Sequence, residues 1–350
     1  MTSTLRAALA VDLPEDDCLL IERLEPRVEL LRDHSLNKPS RWDADWEGDP
    51  AFTRTPEQEA AFTALLDGAD ALFGLPDVSP ARLAATVRAN PSLRWVHATA
   101  AGGGAQVRAA GLTPAELERV AFTTSAGVHG STLAEFALFG ILAGAKDLRH
   151  LEADQAARHW PAERWAMRHL DEMTVLIVGL GGIGAATAAR FKACGSTVWG
   201  TSRSGRPVEN VDRVIPLDDL AQAAAQADAI VVTLPGTAAT EKLIGAELLA
   251  GLRPGTLLTN VGRGTVIDED ALLAALDDGR VGFAALDVFA TEPLPQASPL
   301  WGHPRVLASP HTAALSRQEG TRIARLFARN ATALLDGVPM ANVVDTVEFY

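Results

Sequence analysis

Short apolar runs alternate with stretches of helical period along most of this chain. Residues 5–11, 28–31, 69–73, 93–98 and 120–123 form runs of strand length. Between them, residues 14–24, 56–67, 79–89 and 113–118 carry apolar side chains at helical spacing. This alternation predicts a parallel sheet covered by helices. Residues 36–55 break the rhythm: they are polar, contain Trp42 and Trp46, follow no period, and read as an irregular loop or insertion. A longer helix is expected over residues 131–150, with Leu133, Phe136, Ala137, Ile141 and Leu142 on one face and Ser131 as its N-cap. His159, Trp160, Trp165 and Met167 then mark a polar–aromatic stretch. It reads either as a surface loop with packed tryptophans or as a contact between two copies of the chain.

The strand–helix rhythm resumes at Thr174. Strands are expected at 214–215, 229–234, 256–260, 284–288 and 306–308, with helices over 218–226, 244–252 and 268–278 between them. Asp268 suits an N-cap, and Gly279 suits the stop of the same helix. A last helix over 316–335 stands too far from the preceding unit to extend it simply. It is expected to pack back on the N-terminal part. That division assigns residues 1–128 and 313–350 to one discontinuous domain and residues 129–312 to a second.

The most informative stretch opens the second domain. An apolar run from Thr174 leads at once into Gly179, Gly181 and Gly184, spaced G-x-G-x-x-G, and an alanine-rich helical pattern follows. Such a turn places a dinucleotide pyrophosphate on a helix N-terminus. Gly179 permits the tight turn, Gly181 has no side chain to hold phosphates away, and Gly184 lets the helix sit close to its strand. Gly182 and Ile183, inside the turn, belong to the same candidate site. Among 29 glycines the spacing alone is weak; the strand before it and the helix after it supply the context.

Composition narrows the partners. With 350 residues there is room for two domains, and 47% hydrophobic against 21% charged residues fits a globular protein. A formal net charge of −13 argues against nucleic acid or a membrane surface, while a local arginine still suffices for an anionic small molecule. The two cysteines, Cys18 and Cys194, form neither a disulfide framework nor a metal site and are expected to be buried structural thiols. Cys194 precedes Gly195, expected to cap the first helix of the second domain. The N-terminus lacks a signal-peptide pattern and no charge-free apolar segment is long enough to span a membrane, so a cytoplasmic protein is expected.

Three residues stand just past expected strands: Arg263 in Asn-Val-Gly-Arg-Gly264, Glu292 in the run 286–295, and His311 in Ala-Ser-Pro-His-Thr312. Open parallel sheets bind ligands beyond the carboxyl ends of their strands. Reducing a 2-keto acid requires hydride delivery to carbon and a proton for oxygen. An imidazolium suits the proton step, a carboxylate on the other ring nitrogen fixes its tautomer, and a guanidinium fork suits a carboxylate beside a carbonyl. His311, Glu292 and Arg263 match these roles. Taken singly, each is an ordinary turn or loop residue; their joint placement on successive strand ends carries the argument.

With these motifs in this order, the chain resembles the D-isomer-specific 2-hydroxyacid dehydrogenases. The glycine turn at 179–184, the arginine motif at 260–264, the glutamate motif at 287–295 and Pro310-His311 carry the likeness, which extends from about residue 93 onward. The resemblance implies an α/β fold of two doubly wound parallel-sheet domains around a cleft, a flavodoxin-like substrate domain and a Rossmann cofactor domain. It implies that His311 is the proton donor, Glu292 its partner and Arg263 the substrate anchor. Asp287 is then expected near the nicotinamide carboxamide, Leu234-Pro235 and Val261 along the cofactor, and the backbone of Ala101-Gly102-Gly103 around the substrate carboxylate, aided by Arg263 and His311.

The second strand of the expected cofactor unit ends in Gly-Thr-Ser-Arg-Ser-Gly-Arg206, with Ser202 lying 18 residues after Gly184 where NAD-selective folds carry an acid. Ser202 does not repel a 2′-phosphate, Arg203 suits one, Arg206 is a second candidate, and Thr201 and Ser204 add hydroxyls. NADP(H) is therefore expected over NAD(H); stacking of Arg203 on adenine, with both cofactors accepted, is the alternative. The expected function is NADPH-dependent reduction of a small 2-keto acid, of glyoxylate or hydroxypyruvate type, by a homodimer. A dinucleotide-sensing interaction protein of the same fold, without significant turnover, is the non-enzymatic alternative.

Overall fold

A computed structural model describes residues 4–347 and Phe349. Residues 1–3, 348 and 350, which the sequence assigns to the first domain, lie outside the described residues. The chain divides into two compact units, Met1–His129 with Leu315–Tyr350, and Gly130–Ala314.

The first unit holds five parallel strands, β1 (Leu5–Leu9), β2 (Val28–Leu31), β3 (Ala71–Phe73), β4 (Trp95–Ala98) and β5 (Ala121–Thr124), in the order β2-β1-β3-β4-β5. That order is doubly wound and flavodoxin-like. Both sheet faces are buried, which is why the strands read as apolar runs rather than alternations. One face sends Leu72, Val96 and Phe122 against Phe62, Leu66, Leu83 and Val87. The other sends Leu5, Phe73 and Trp95 against Ile21, Ile323 and Phe327. The last two belong to the C-terminal helix Glu319–Asp336, whose buried residues recur at helical spacing and which stops at left-handed Gly337. Phe327 stacks on Trp95 with ring centroids 4.5 Å apart, a contact whose loss on truncation to Ala costs about 3–5 kcal/mol. Past Leu36, which ends a 3-10 turn at His34–Leu36, the stretch 36–55 has no regular element, yet it is fastened: Arg54 makes two hydrogen bonds to the Asp77 carboxylate, both 2.9 Å, and Trp46 Nε1 donates to Glu319 at 2.8 Å.

The second unit holds seven parallel strands: β6 (Thr174–Val178), β7 (Thr197–Thr201), β8 (Arg213–Ile215), β9 (Ala229–Val232), β10 (Thr256–Asn260), β11 (Val281–Leu286) and β12 (Val306–Ala308). Their order is β12-β11-β10-β9-β6-β7-β8. The order reverses between β6 and β9, so a ligand crevice is expected beyond the carboxyl end of β6.

Several expectations need correction. The helix expected over 131–150 is two helices, Gly130–Ala145 and Leu148–Ala157, broken where Asp147 adopts a left-handed φ of 51°. It begins at Gly130, so Ser131 lies in its first turn, where its hydroxyl accepts from Arg190 at 2.8 Å instead of capping. Residues 218–226 form a tight turn, Leu217–Asp219, and a short helix, Leu220–Ala224; residues 244–252 keep only Ala246–Ala250 helical. A helix at Gly103–Ala109 was not expected. Cys18 is buried, but Cys194 is exposed. Among the described residues no helix is long and apolar enough to cross a membrane.

Candidate active site

The apolar strand β6 delivers the chain into the glycine turn, and the three glycines do different work there. Gly179 has φ +110°, and a Cβ on it would fall 2.7 Å from Leu234 Cδ2. A Cβ on Gly184 would fall 2.0 Å from the carbonyl oxygen of Gly179, so only glycine lets the helix Gly182–Ala193 start this close to β6. A Cβ on Gly181 would meet nothing within 4 Å. That open space lies against Gly182, Ile183 and Gly184, the first residues of the helix, whose amides and dipole favour an anion. Thr201 and Thr233 brace the turn: Gly179 N donates to Thr201 Oγ1 at 2.9 Å, and Thr233 Oγ1 donates to Gly179 O at 2.6 Å. Thr201 is buried, so its hydroxyl serves the turn rather than a cofactor phosphate, contrary to the sequence expectation. Ser202, Arg203 and Ser204 follow β7 directly, in a turn closed by Ser202 Oγ and Ser204 Oγ at 3.0 Å.

Neighbouring strands β10, β11 and β12 carry the residues with chemistry. After β10, Asn260 braces the arginine turn from both sides, accepting from Gly262 N and donating to Arg263 O, each at 3.0 Å. Val261 is buried beneath this turn, and a Cβ on Gly262 would fall 2.5 Å from Leu234 O, so Leu234-Pro235 lies against it. Arg263 itself is exposed. A Cβ on Gly264 would fall 1.8 Å from the carbonyl carbon of Phe289, so the arginine and glutamate motifs touch through their backbones.

Glu292 uses both carboxylate oxygens. Oε1 accepts from Phe289 N at 2.9 Å, and Oε2 lies 2.7 Å from His311 Nδ1. Facing a carboxylate, Nδ1 carries a hydrogen and donates it, which turns Nε2 away as the outward nitrogen. The His311 and Glu292 side chains are 44% and 35% exposed, open to a small molecule. His311 has a left-handed φ of 53°, an uncommon state for a residue with a Cβ. Asp287 holds it there: its Oδ1 accepts from Ser309 Oγ (2.7 Å), Thr312 N (2.9 Å) and Ala313 N (3.0 Å). Asp287 is fully buried, and its Oδ2 has no hydrogen-bond partner. A buried carboxylate oxygen without a donor is costly.

In the first unit, Ala101 and Gly102 are exposed and Gly103 is buried, with its missing Cβ 2.4 Å from that of Ala98. The bracing residues Thr201, Thr233, Asn260 and Ser309 escape a sequence reading, because their bonds join segments far apart in the chain or use side-chain roles that carry no period. The open space at Gly181, against the first turn of the helix Gly182–Ala193, fits the phosphates of a dinucleotide.

Comparison with known proteins agrees. The model of the family described as D-isomer specific 2-hydroxyacid dehydrogenase, NAD binding domain, matches residues 138–313. A glyoxylate/hydroxypyruvate reductase A of Salmonella typhi is 38% identical over 180 residues, 51% of this chain and 57% of that protein; the match thus spans little more than half of that relative. The crystal structure of a D-isomer specific 2-hydroxyacid dehydrogenase from Xanthobacter autotrophicus Py2, in complex with NADPH and MES, aligns with TM-score 0.76 and 30% identity over 99% of this chain and 100% of that one. A family member from Aeromonas salmonicida aligns with TM-score 0.75 and 30% identity over 98% and 100%.

Proposed function

The chain belongs to the D-isomer specific 2-hydroxyacid dehydrogenase family, and from that premise we propose that it is an NADPH-dependent reductase of small 2-keto acids, of glyoxylate or hydroxypyruvate type. The observation that carries this reading is the 2.7 Å pair of His311 and Glu292 at the end of β12, on the strand beside the one that leads into Glu292. When bound, the reduced nicotinamide supplies a hydride to the keto carbon. His311 Nε2 hands its proton to the oxygen on which negative charge develops, and the ring returns to neutral imidazole. Glu292 keeps Nδ1 protonated, so that Nε2 is the nitrogen that gives up and regains the proton. Arg263 spends one N–H on Gly262 O at 2.8 Å and offers its fork to the substrate carboxylate and carbonyl. In the first unit, the exposed backbone amides of Ala101 and Gly102 are assigned to a substrate carboxylate; the buried Gly103 amide, expected to join them, is already donating to Ala100 O at 3.3 Å. Asp287 Oδ1 keeps the His311 turn in place, and Asp287 would stand near the carboxamide when the nicotinamide is bound.

Preference for NADPH is supported by Ser202, Arg203 and Ser204 at a position where an acidic residue would repel the 2′-phosphate, and by the NADPH complex of the Xanthobacter relative. Comparing kcat/KM for NADPH and NADH with glyoxylate, hydroxypyruvate, pyruvate and phenylpyruvate tests both parts; a preference for NADH removes the 2′-phosphate assignment.

A homodimer belongs to the same proposal. Trp160 is 82% exposed, and beside it a groove of about 680 Å³ is lined by Leu151, Pro161, Trp165 and Met167. Two-fold pairing would set this apolar patch against its own copy. Light scattering is expected to give twice the chain mass, and Trp160→Glu to give the single mass; a wild-type monomer removes the assignment.

A further inference from the structure

A chain of buried hydrogen bonds runs through the first unit from Trp95 to the turn after β4. Trp95 Nε1 donates to Thr123 Oγ1 at 2.9 Å. Thr123 Oγ1 lies 2.8 Å from His97 Nδ1, and His97 Nε2 lies 3.2 Å from Ser125 Oγ. Ser125 Oγ donates to the carbonyl of Ala98 at 3.1 Å. Each member is at most 1% exposed.

Proton counting fixes the direction. The indole nitrogen only donates and the Ala98 carbonyl only accepts. Ser125 has one hydroxyl hydrogen, committed to Ala98, so toward His97 it accepts, and Nε2 carries the ring hydrogen. Nδ1 is then bare and accepts from Thr123, whose oxygen is already taking the Trp95 hydrogen. All five groups are satisfied in this one arrangement, with a neutral ring. Burial pushes the His97 imidazole down to about 3, which keeps the ring neutral at working pH.

The far end of this chain is the turn that carries the proposed carboxylate amides. Ser125 holds it twice, by its hydroxyl on Ala98 and by its own amide on the carbonyl of Ala100 at 3.4 Å. Gly103 N also donates to Ala100 O, at 3.3 Å. We propose that Trp95, Thr123, His97 and Ser125 form a one-way hydrogen-bond chain that sets the turn from Ala98 to Gly103. His97 and Ser125 are thereby positioning residues for the substrate carboxylate. This rests on the assignment of that carboxylate to the amides of Ala101 and Gly102. A neutral histidine inside the sheet is otherwise an expensive way to fill a core position. Its use here is to transmit the fixed geometry of two strands to a short loop of small residues whose own bonds are few and long, such as Gly103 N to Ala100 O at 3.3 Å.

The test compares Ser125→Ala, Ser125→Thr and Gly102→Pro in the whole enzyme. Gly102→Pro removes an amide of the turn itself and so probes the underlying assignment. Ser125→Ala is expected to raise KM for glyoxylate about 3- to 10-fold, with kcat and NADPH affinity nearly unchanged, and Ser125→Thr to restore it. A lowered melting temperature with unaltered KM in Ser125→Ala means a merely structural role and overturns the proposal. If Gly102→Pro raises KM and Ser125→Ala does not, the relay alone falls; if neither does, the carboxylate assignment falls with it. ¹⁵N NMR of the ring, assigned by the signal lost in His97→Gln, is expected to show Nε2 protonated and Nδ1 bare. The opposite tautomer overturns the stated direction.

Discussion

Replacing Glu292 by Gln tests the proton-donor pair with the least change of shape. The carboxylate serves two donors, Phe289 N at 2.9 Å and His311 Nδ1 at 2.7 Å. A carboxamide has one oxygen. If that oxygen turns to Phe289, the NH₂ faces Nδ1 and selects the opposite tautomer of the ring. If it turns to His311, the NH₂ opposes the Phe289 amide. The first outcome loses the tautomer that carries a proton on Nδ1, the second loses a hydrogen bond, and both remove the negative charge beside the ring. A charge-assisted hydrogen bond is worth about 1.5–3 kcal/mol. The two side chains are 44% and 35% exposed, so water screens the pair, and the lower part of that range applies, about 1.5–2 kcal/mol. Expressed in the transition state, this lowers kcat about 10- to 30-fold. The assay is steady-state reduction of glyoxylate at saturating NADPH, with NADPH affinity measured separately by fluorescence. Cofactor affinity is expected to hold, because neither contact of Glu292 belongs to the glycine turn. A kcat within about twofold of wild type would refute the reasoning.

Two further outcomes follow from the same structure. Gly181→Ala and Gly184→Ala are expected to part company: the first adds a Cβ into open space, so the melting temperature holds while NADPH affinity drops about tenfold or more. The second adds a Cβ 2.0 Å from Gly179 O, so both stability and cofactor binding are lost; equal melting temperatures for the two variants would contradict this. His97 gives a pH effect of defined sign. Its folded value, about 3, lies below the ordinary value of 6.5, so the unfolded chain binds the proton first as pH falls. Its contribution is fully present above pH 6.5 and is lost toward pH 3, at about 1.4 kcal/mol per pH unit, or about 2 kcal/mol by pH 5. Urea midpoints from pH 7 to pH 5 are expected to fall more steeply for wild type than for His97→Gln; parallel slopes would refute it.

Burial was legible in the sequence wherever it follows a period. The two sheets, the discontinuous chain path and the glycine turn rest on apolar runs of strand length, on helical spacing and on one spacing of small residues. Residues 28–31, 256–260 and 306–308 are strands as read, because Gly, Pro or charged residues bracket each run. The helix Gly103–Ala109 was not legible, since Gly-Gly-Ala-Gln-Val has no apolar stripe and low intrinsic helix preference. The break at Asp147 was hidden for the opposite reason: no Gly or Pro marks it, and tertiary bonds such as Lys146 Nζ to Arg168 O at 2.7 Å fix the chain there. Within the candidate site, Arg263, Glu292 and His311 stood out because each is a charged or titratable residue just past an apolar run. For Asp287 the resemblance implied only a place near the carboxamide; three donors converging on one oxygen show what it holds within the fold. His97 lies inside the run 93–98, and nothing in the local pattern singles it out. Its partners Thr123 and Ser125 lie 26 and 28 residues away, a pairing that no local pattern records.

The central claim is that the His311–Glu292 pair makes this chain a reductase of small 2-keto acids. The most direct measurement is the initial rate of NADPH oxidation with glyoxylate and with hydroxypyruvate, for wild type and for His311→Ala. Wild type is expected to turn over at least one of the two acids, and His311→Ala to lose about 100-fold or more with NADPH affinity retained. No oxidation by wild type despite tight NADPH binding, or near-normal turnover by His311→Ala, would contradict it.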